Sequence, residues 1–204
     1  MSLTLRSTMP RPLFDPLARH LRGARALLAA AALTLTATAA AEGLDGYNFS
    51  VAESRDGHAN MARIGLMRDF GHRWMDSGSW QLAGYWLLEA GYWDDNEDDT
   101  PGHESLFELG ATPVFRLQPS GADSGGLSPY IEAGIGVHAL SHTSLGDRSF
   151  STVLQFGSHA GAGLRFGARG EYDVGYRYQH LSNADIKTPN NGIDFHILQL
   201  NYRP

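Results

Sequence analysis

Between residues 129 and 141 the chain alternates without interruption. Ile131, Ala133, Ile135, Val137 and Ala139 fall on one side, and Tyr130, Glu132, Gly134, Gly136 and His138 on the other. A period of two belongs to the β-strand, whose successive side chains leave opposite faces. One face is apolar and the other carries a carboxylate, an imidazole and glycines, so the strand separates two different media. The pattern recurs at 80–93, where Leu82, Gly84, Trp86, Leu88, Ala90 and Tyr92 oppose Gln81, Ala83, Tyr85, Leu87 and Glu89. It recurs again at 152–166, where Leu154, Phe156, Ala160, Ala162, Leu164 and Phe166 oppose Gln155, His159 and Arg165. Beyond Ala41 no apolar stretch reaches the roughly 20 residues of a membrane-spanning helix, and the mean hydropathy is −0.28. A helical membrane protein is excluded. Alternation, aromatic residues and Gly-rich strands divided by polar turns are the signature of a transmembrane β-barrel.

The fold expected is therefore all-β, an eight-stranded antiparallel transmembrane barrel with strands near 46–54, 60–70, 80–93, 104–117, 129–141, 152–166, 171–184 and 192–203. A barrel of eight strands is only wide enough inside for side chains. Arg63, Glu89, Glu108, Glu132, His138, His159, Arg165 and Arg177 are expected to fill it as a polar plug, which excludes a diffusion pore. The inner histidines offer no three ligands at a defensible spacing, so no metal site is assigned and no cofactor is expected.

The first 41 residues read as a cleaved secretory signal. Five arginines (Arg6, Arg11, Arg19, Arg22, Arg25) precede an apolar run from Ala26 that ends in Ala39-Ala40-Ala41, leaving 42–204 as a single barrel domain. Without those five of sixteen basic residues and Asp15 of twenty-two acidic ones, the mature chain has a formal charge of −10. Nucleic acid is not an expected partner. The chain has no cysteine, so disulfides and thiolate metal sites are unavailable.

With both termini on the periplasmic side, the connections near 55–59, 94–103, 142–151 and 185–191 lie outside the cell. The acidic run Asp94-Asp95-Asn96-Glu97-Asp98-Asp99 then sits on a surface loop. It is either a solvated acidic loop or a place for divalent cations bridging to phosphate groups.

Chemistry concentrates in the strand at 171–184. Tyr172, Val174, Tyr176 and Tyr178 make its lipid face, and the same alternation turns His180 and Ser182 outward. In the next strand Asp194 shares its face with His196, Leu198, Leu200 and Tyr202, although Ile193, Phe195 and Ile197 compete for the lipid side. An ionisable group facing lipid costs a few kcal/mol at the midplane but only about 0–1 kcal/mol near the interface. A hairpin brings Asp194 beside His180 and Ser182. A hydroxyl nucleophile, an imidazole base and a carboxylate that orients it are the three roles of a serine-hydrolase triad. Asn183, or a backbone N–H beside it, is the candidate oxyanion donor.

The stretch HLSNADIKTPNNGIDFH, from His180 to His196, resembles the C-terminal signature of the PagL family of lipid A deacylases: His-x-Ser-Asn, then Lys-x-Pro-Asn-x-Gly-Ile and an acidic residue. GYWLLEAGYW, FELGATPVFRL and PYIEAGIGVHAL are similar to strands of that family, so the likeness covers most of the mature chain. The resemblance implies an outer-membrane esterase that hydrolyses the 3-O-linked acyl chain of lipid A and releases a 3-hydroxy fatty acid. It places His180 and Ser182 at the base and nucleophile positions, Asn183 at the oxyanion position and Asp194 at that of the acid. The family's acid is associated with Glu, whereas this chain has Asp; the chain also ends Tyr202-Arg-Pro204 rather than on an aromatic residue.

The partner implied is lipopolysaccharide in the outer leaflet of a bacterial outer membrane, with a homodimer left open. Tyr176, Tyr178, Trp86 and Tyr92 either lie along acyl chains or form an ordinary aromatic girdle, and Lys187 either meets a phosphate or is a solvated loop residue. Two competing functions are a non-enzymatic barrel for adhesion or membrane integrity and a lipid A acyltransferase. The short loops weigh against the first, and the charged inner face against the second.

Overall fold

The computed structural model describes residues 43–75, 78–97 and 100–204. The leader and residues Asp98 and Asp99 of the acidic run lie outside the described residues. Eight strands form one closed barrel: β1 (Gly46–Ser54), β2 (Ala59–Asp69), β3 (Trp80–Asp95), β4 (Ser105–Pro119), β5 (Ser128–Leu140), β8 (Leu154–Phe166), β9 (Tyr172–Ser182) and β10 (Ile193–Tyr202). Each pairs antiparallel with its neighbour, and β1 pairs with β10 to close the wall. Between β5 and β8 a two-stranded hairpin, β6 (Ser144–Leu145) and β7 (Arg148–Ser149), stands outside the wall sheet. That insert was expected to be a plain connection.

Alternation decides what faces where. Along β5 burial switches at every residue, with Ile131, Ile135 and Val137 exposed and Tyr130, Glu132 and His138 buried. Leu88, Leu109, Val174, Leu198 and Leu200 add to the exposed apolar belt. Such a belt is stable only against hydrocarbon, which fits a barrel that crosses a membrane with its strands.

All eight charged residues assigned to the interior are buried, joined by Arg116 and Asp173. A buried ion costs several kcal/mol unless its hydrogen-bonding capacity is met, and here the groups meet one another. Arg63 grips Glu108 with two bonds of 2.8 and 2.7 Å, while Trp93 Nε1 donates to Glu108 at 2.6 Å and His138 Nδ1 lies 2.6 Å from it. Lower in the barrel Glu132 accepts from Arg116 at 2.9 Å, Arg177 at 2.5 Å and Gln199 at 2.7 Å. Asp173 accepts from Arg116 at 2.9 Å and from the Tyr130 hydroxyl at 3.0 Å.

The interior is not polar throughout. Met61, Trp93, Leu106, Leu140, Leu181, Ile193, Phe195 and Ile197 form an apolar cluster, closed over by Leu145 and Phe150 from the hairpin insert. Trp93 makes edge contacts with Phe195 at 4.9 Å and Phe150 at 6.1 Å. This mouth plug accounts for Ile193, Phe195 and Ile197 on β10: they turn inward to fill it, which leaves the outer face of that strand to Asp194, His196 and Leu198. The β1–β2 turn, the hairpin insert and the β9–β10 loop gather at the same end. Arg148 bonds both Asp56 and the Gly192 carbonyl, and Asn191 N–H reaches the Ser149 carbonyl. In the acidic run, Asp94 and Asp95 complete β3, and Asp95 is buried, accepting from Thr100 Oγ1 at 2.6 Å.

Candidate active site

His180 and Asp194 are direct partners across the β9–β10 ladder. Their side chains leave the outer wall together, with His180 Nδ1 2.7 Å from Asp194 Oδ1 and exposures of 49% and 27%. The shorter carboxylate therefore reaches the ring without any intermediary. With Nδ1 turned to the carboxylate, the ring donates its Nδ1 proton there and keeps Nε2 as the acceptor for a second partner.

Ser182 lies two residues along β9 on the same outer face, at the strand's end. Gly192 closes this corner. A Cβ there would lie 3.1 Å from His180 Cε1 and 3.5 Å from the Ser182 Cβ, and its φ of 60° favours glycine. Arg148 holds the Gly192 carbonyl at 2.7 Å. Asp194 has a further neighbour: the Arg55 N–H bonds its carbonyl at 2.8 Å, and Arg55 Nη1 is 3.9 Å from Oδ2. A second hydroxyl, Ser158, faces His180 from β8.

Asn183, the expected oxyanion donor, follows Ser182 directly at the end of β9. It is fully buried on the inner side of the wall, and its Nδ2 donates to the Phe150 carbonyl at 2.9 Å and the Lys187 carbonyl at 2.7 Å. Its backbone N–H bonds Asn190 Oδ1 at 3.1 Å. Both amide hydrogens are thus engaged in bracing the β9–β10 loop against the hairpin insert. Alternation is the physical reason: Asn183 follows Ser182, so it faces the opposite way.

Arg55, Ser158 and Gly192 were not singled out from the sequence. Arg55 and Ser158 belong to other strands and turns, and only the pairing register brings them to His180. Gly192 stood within a recognisable Asn-Asn-Gly turn, yet its closeness to the ring is a tertiary matter.

Beside His180 an apolar cavity of about 670 Å³ opens in the outer wall, lined by Pro113, Phe115, Ala133, Ile135, Ala160 and Tyr178. On the polar side of the same histidine a smaller cavity of about 320 Å³ is lined by Arg55, Asp56, Arg148, Asn191, Gly192 and Asp194. The His180–Asp194 pair stands on the boundary between an apolar and a charged surface, where an amphiphile would rest.

A closed eight-stranded barrel with an apolar outer belt is an outer-membrane β-barrel. The family model described as lipid A 3-O-deacylase (PagL) matches residues 60–203. The chain is 38% identical over 169 residues to the lipid A deacylase PagL of Pseudomonas aeruginosa, covering 82% of this chain and 91% of that protein. It is also 38% identical over 131 residues to the lipid A deacylase PagL of Bordetella bronchiseptica, covering 61% and 67%. A crystal structure of the outer membrane enzyme PagL superposes with a TM-score of 0.67 at 33% identity, covering 78% of this chain and 99% of that one. The chain belongs to the lipid A 3-O-deacylase family.

Proposed function

We propose that this barrel hydrolyses the ester-linked acyl chain at the 3-position of lipid A, with Ser182 as nucleophile, His180 as base and Asp194 as the acid that orients it. The observation that carries the reading is the 2.7 Å His180–Asp194 pair on the outer wall, with Ser182 beside it and an apolar cavity opening at the ring. Ser182 Oγ attacks the ester carbonyl while His180 Nε2 takes its proton, and Asp194 steadies the imidazolium. Collapse of the tetrahedral intermediate expels the sugar oxygen, which receives that proton. Water, deprotonated by His180, then cleaves the acyl-serine, releasing the 3-hydroxy fatty acid and restoring Ser182.

The oxyanion donor in this reading is Asn183, or a backbone N–H beside it, where the chain leaves β9. Lipid A already lies in the outer leaflet, so a nucleophile on the barrel wall meets the ester without extracting it. The charged cavity with Arg55 and Arg148 suits the sugar and phosphate side of such a molecule.

Mass spectrometry of lipid A from cells expressing the protein tests this. Wild type is expected to remove one 3-hydroxyacyl group. Ser182→Ala and His180→Ala are each expected to leave lipid A fully acylated while the barrel still folds, and Ser158→Ala to retain deacylation. Deacylation by Ser182→Ala that is lost in Ser158→Ala would reassign the nucleophile.

A further inference from the structure

The apolar cavity beside His180 has a direction. On its upper side His180 faces Ser158, and Ser158 faces Ile135. On its lower side Tyr178 faces Ala160, Ala160 faces Ala133, and Ala133 faces Phe115. The cavity therefore runs across β9, β8, β5 and β4 rather than along any strand. Two alanines form its floor, and at its far end the β4–β5 pairing is interrupted between Ala111 and Val114, where Pro113 has no N–H to contribute.

Phe115 stands at that far end, 43% exposed, and it is braced from behind. Phe70 makes an edge contact with it at 5.6 Å, and Trp74 packs against it at 6.0 Å. The segment carrying these two residues is held against the wall. Trp74 exchanges backbone hydrogen bonds of 2.9 and 2.8 Å with Leu82, and Phe70 lies so close over Gly84 that a Cβ there would come within 2.3 Å of its ring. A phenylalanine without such support would swing aside; this one is a fixed post.

We propose that Phe115, braced by Phe70 and Trp74, ends the acyl groove and sets the length of the ester-linked chain the enzyme removes. The inference rests on the deacylase reading above. Three inter-strand steps of about 4.8 Å, combined with the two-residue offset of about 7 Å between the Tyr178 row and His180, put Phe115 about 16 Å from His180, the span of an extended chain of roughly twelve to fourteen carbons. Longer chains meet the ring and must bend away into the surrounding lipid, losing the close packing along the groove and the extended conformation it holds.

The test measures kcat/KM in lipid vesicles containing lipid A species that differ only in the 3-O-acyl chain, ten against sixteen carbons, with the released fatty acid quantified. Wild type is expected to favour the shorter chain by at least about tenfold, and Phe115→Ala to bring the two within about threefold. Ala160→Phe, which fills the groove midway, is expected to depress both ten- and sixteen-carbon turnover while sparing a six-carbon ester. An active Phe115→Ala barrel with the wild-type ratio, or an Ala160→Phe barrel with an unchanged length profile, overturns the inference while leaving deacylation intact. A folded wild type that releases no acyl chain of any length overturns the deacylase reading, and this inference with it.

Discussion

Asp194 is one methylene shorter than the glutamate associated with its position in the family, and register makes up the difference. Directly opposed residues on an antiparallel pair have Cβ atoms roughly 4.5–5.5 Å apart, so the short carboxylate reaches His180 Nδ1 at 2.7 Å. Gly192 matters as much to this corner. Gly192→Ala forces a side chain into left-handed backbone and toward the His180 ring, and is expected to lower kcat about tenfold or more while the barrel still assembles, at a cost of about 1–2 kcal/mol. Steady-state deacylation together with the heat-modified gel shift of the folded barrel checks it, and wild-type kcat would show the ring has room to move. His180, Ser182 and Asp194 were legible as a group because alternation and a hairpin are local properties. Arg55, Ser158 and the bracing role of Asn183 were not, because each depends on a neighbour distant in the chain.

At the level of elements, the β6–β7 insert ties the site's loops together. Its Arg148 binds both the Gly192 carbonyl and Asp56 of the β1–β2 turn. Partial burial raises the Asp56 carboxyl, but the Ser54 hydroxyl, the His58 N–H and the Arg148 guanidinium outweigh it and hold the group below its usual 3.8. A depressed carboxylate contributes stability that is present above its unfolded value and is lost as pH falls through the lower folded value. The loops at this end are therefore expected to loosen below about pH 4 rather than on the alkaline side. Hydrogen-exchange protection over 144–149 and 190–193, taken relative to the intrinsic rate at each pH, should fall at pH 3 relative to pH 6. Arg148→Ala should show the lowered protection already at pH 6; equal protection in that variant would remove Arg148 as the tie. The sequence marked this stretch only as a polar connection. Two-residue strands are too short to leave a period, and Leu145 and Phe150 acquire meaning only over an open barrel mouth.

For the whole molecule, the barrel is held from inside by charges that satisfy one another. Glu108→Gln leaves Arg63 buried without its carboxylate and is expected to destabilise the barrel by about 3–5 kcal/mol. Urea unfolding in lipid vesicles, followed by tryptophan fluorescence, would detect this, and an unchanged midpoint would count against the network. Site variants on the outer wall should leave the same midpoint unmoved, since His180 and Ser182 contribute nothing to the interior.

The sequence by itself determined the strands, which face of each meets lipid, and the outward placement of His180, Ser182 and Asp194, since period-two alternation between two media is written residue by residue. It also marked the charged interior, because such residues have no other place in a wall facing hydrocarbon. Only the tertiary structure decided how the faces are furnished across strands: the apolar plug in the mouth, the bond from Asn183 to Phe150, the groove between β9 and β4 and the braced Phe115 at its end. These follow from register, closure and loop docking, which join residues that no local pattern connects.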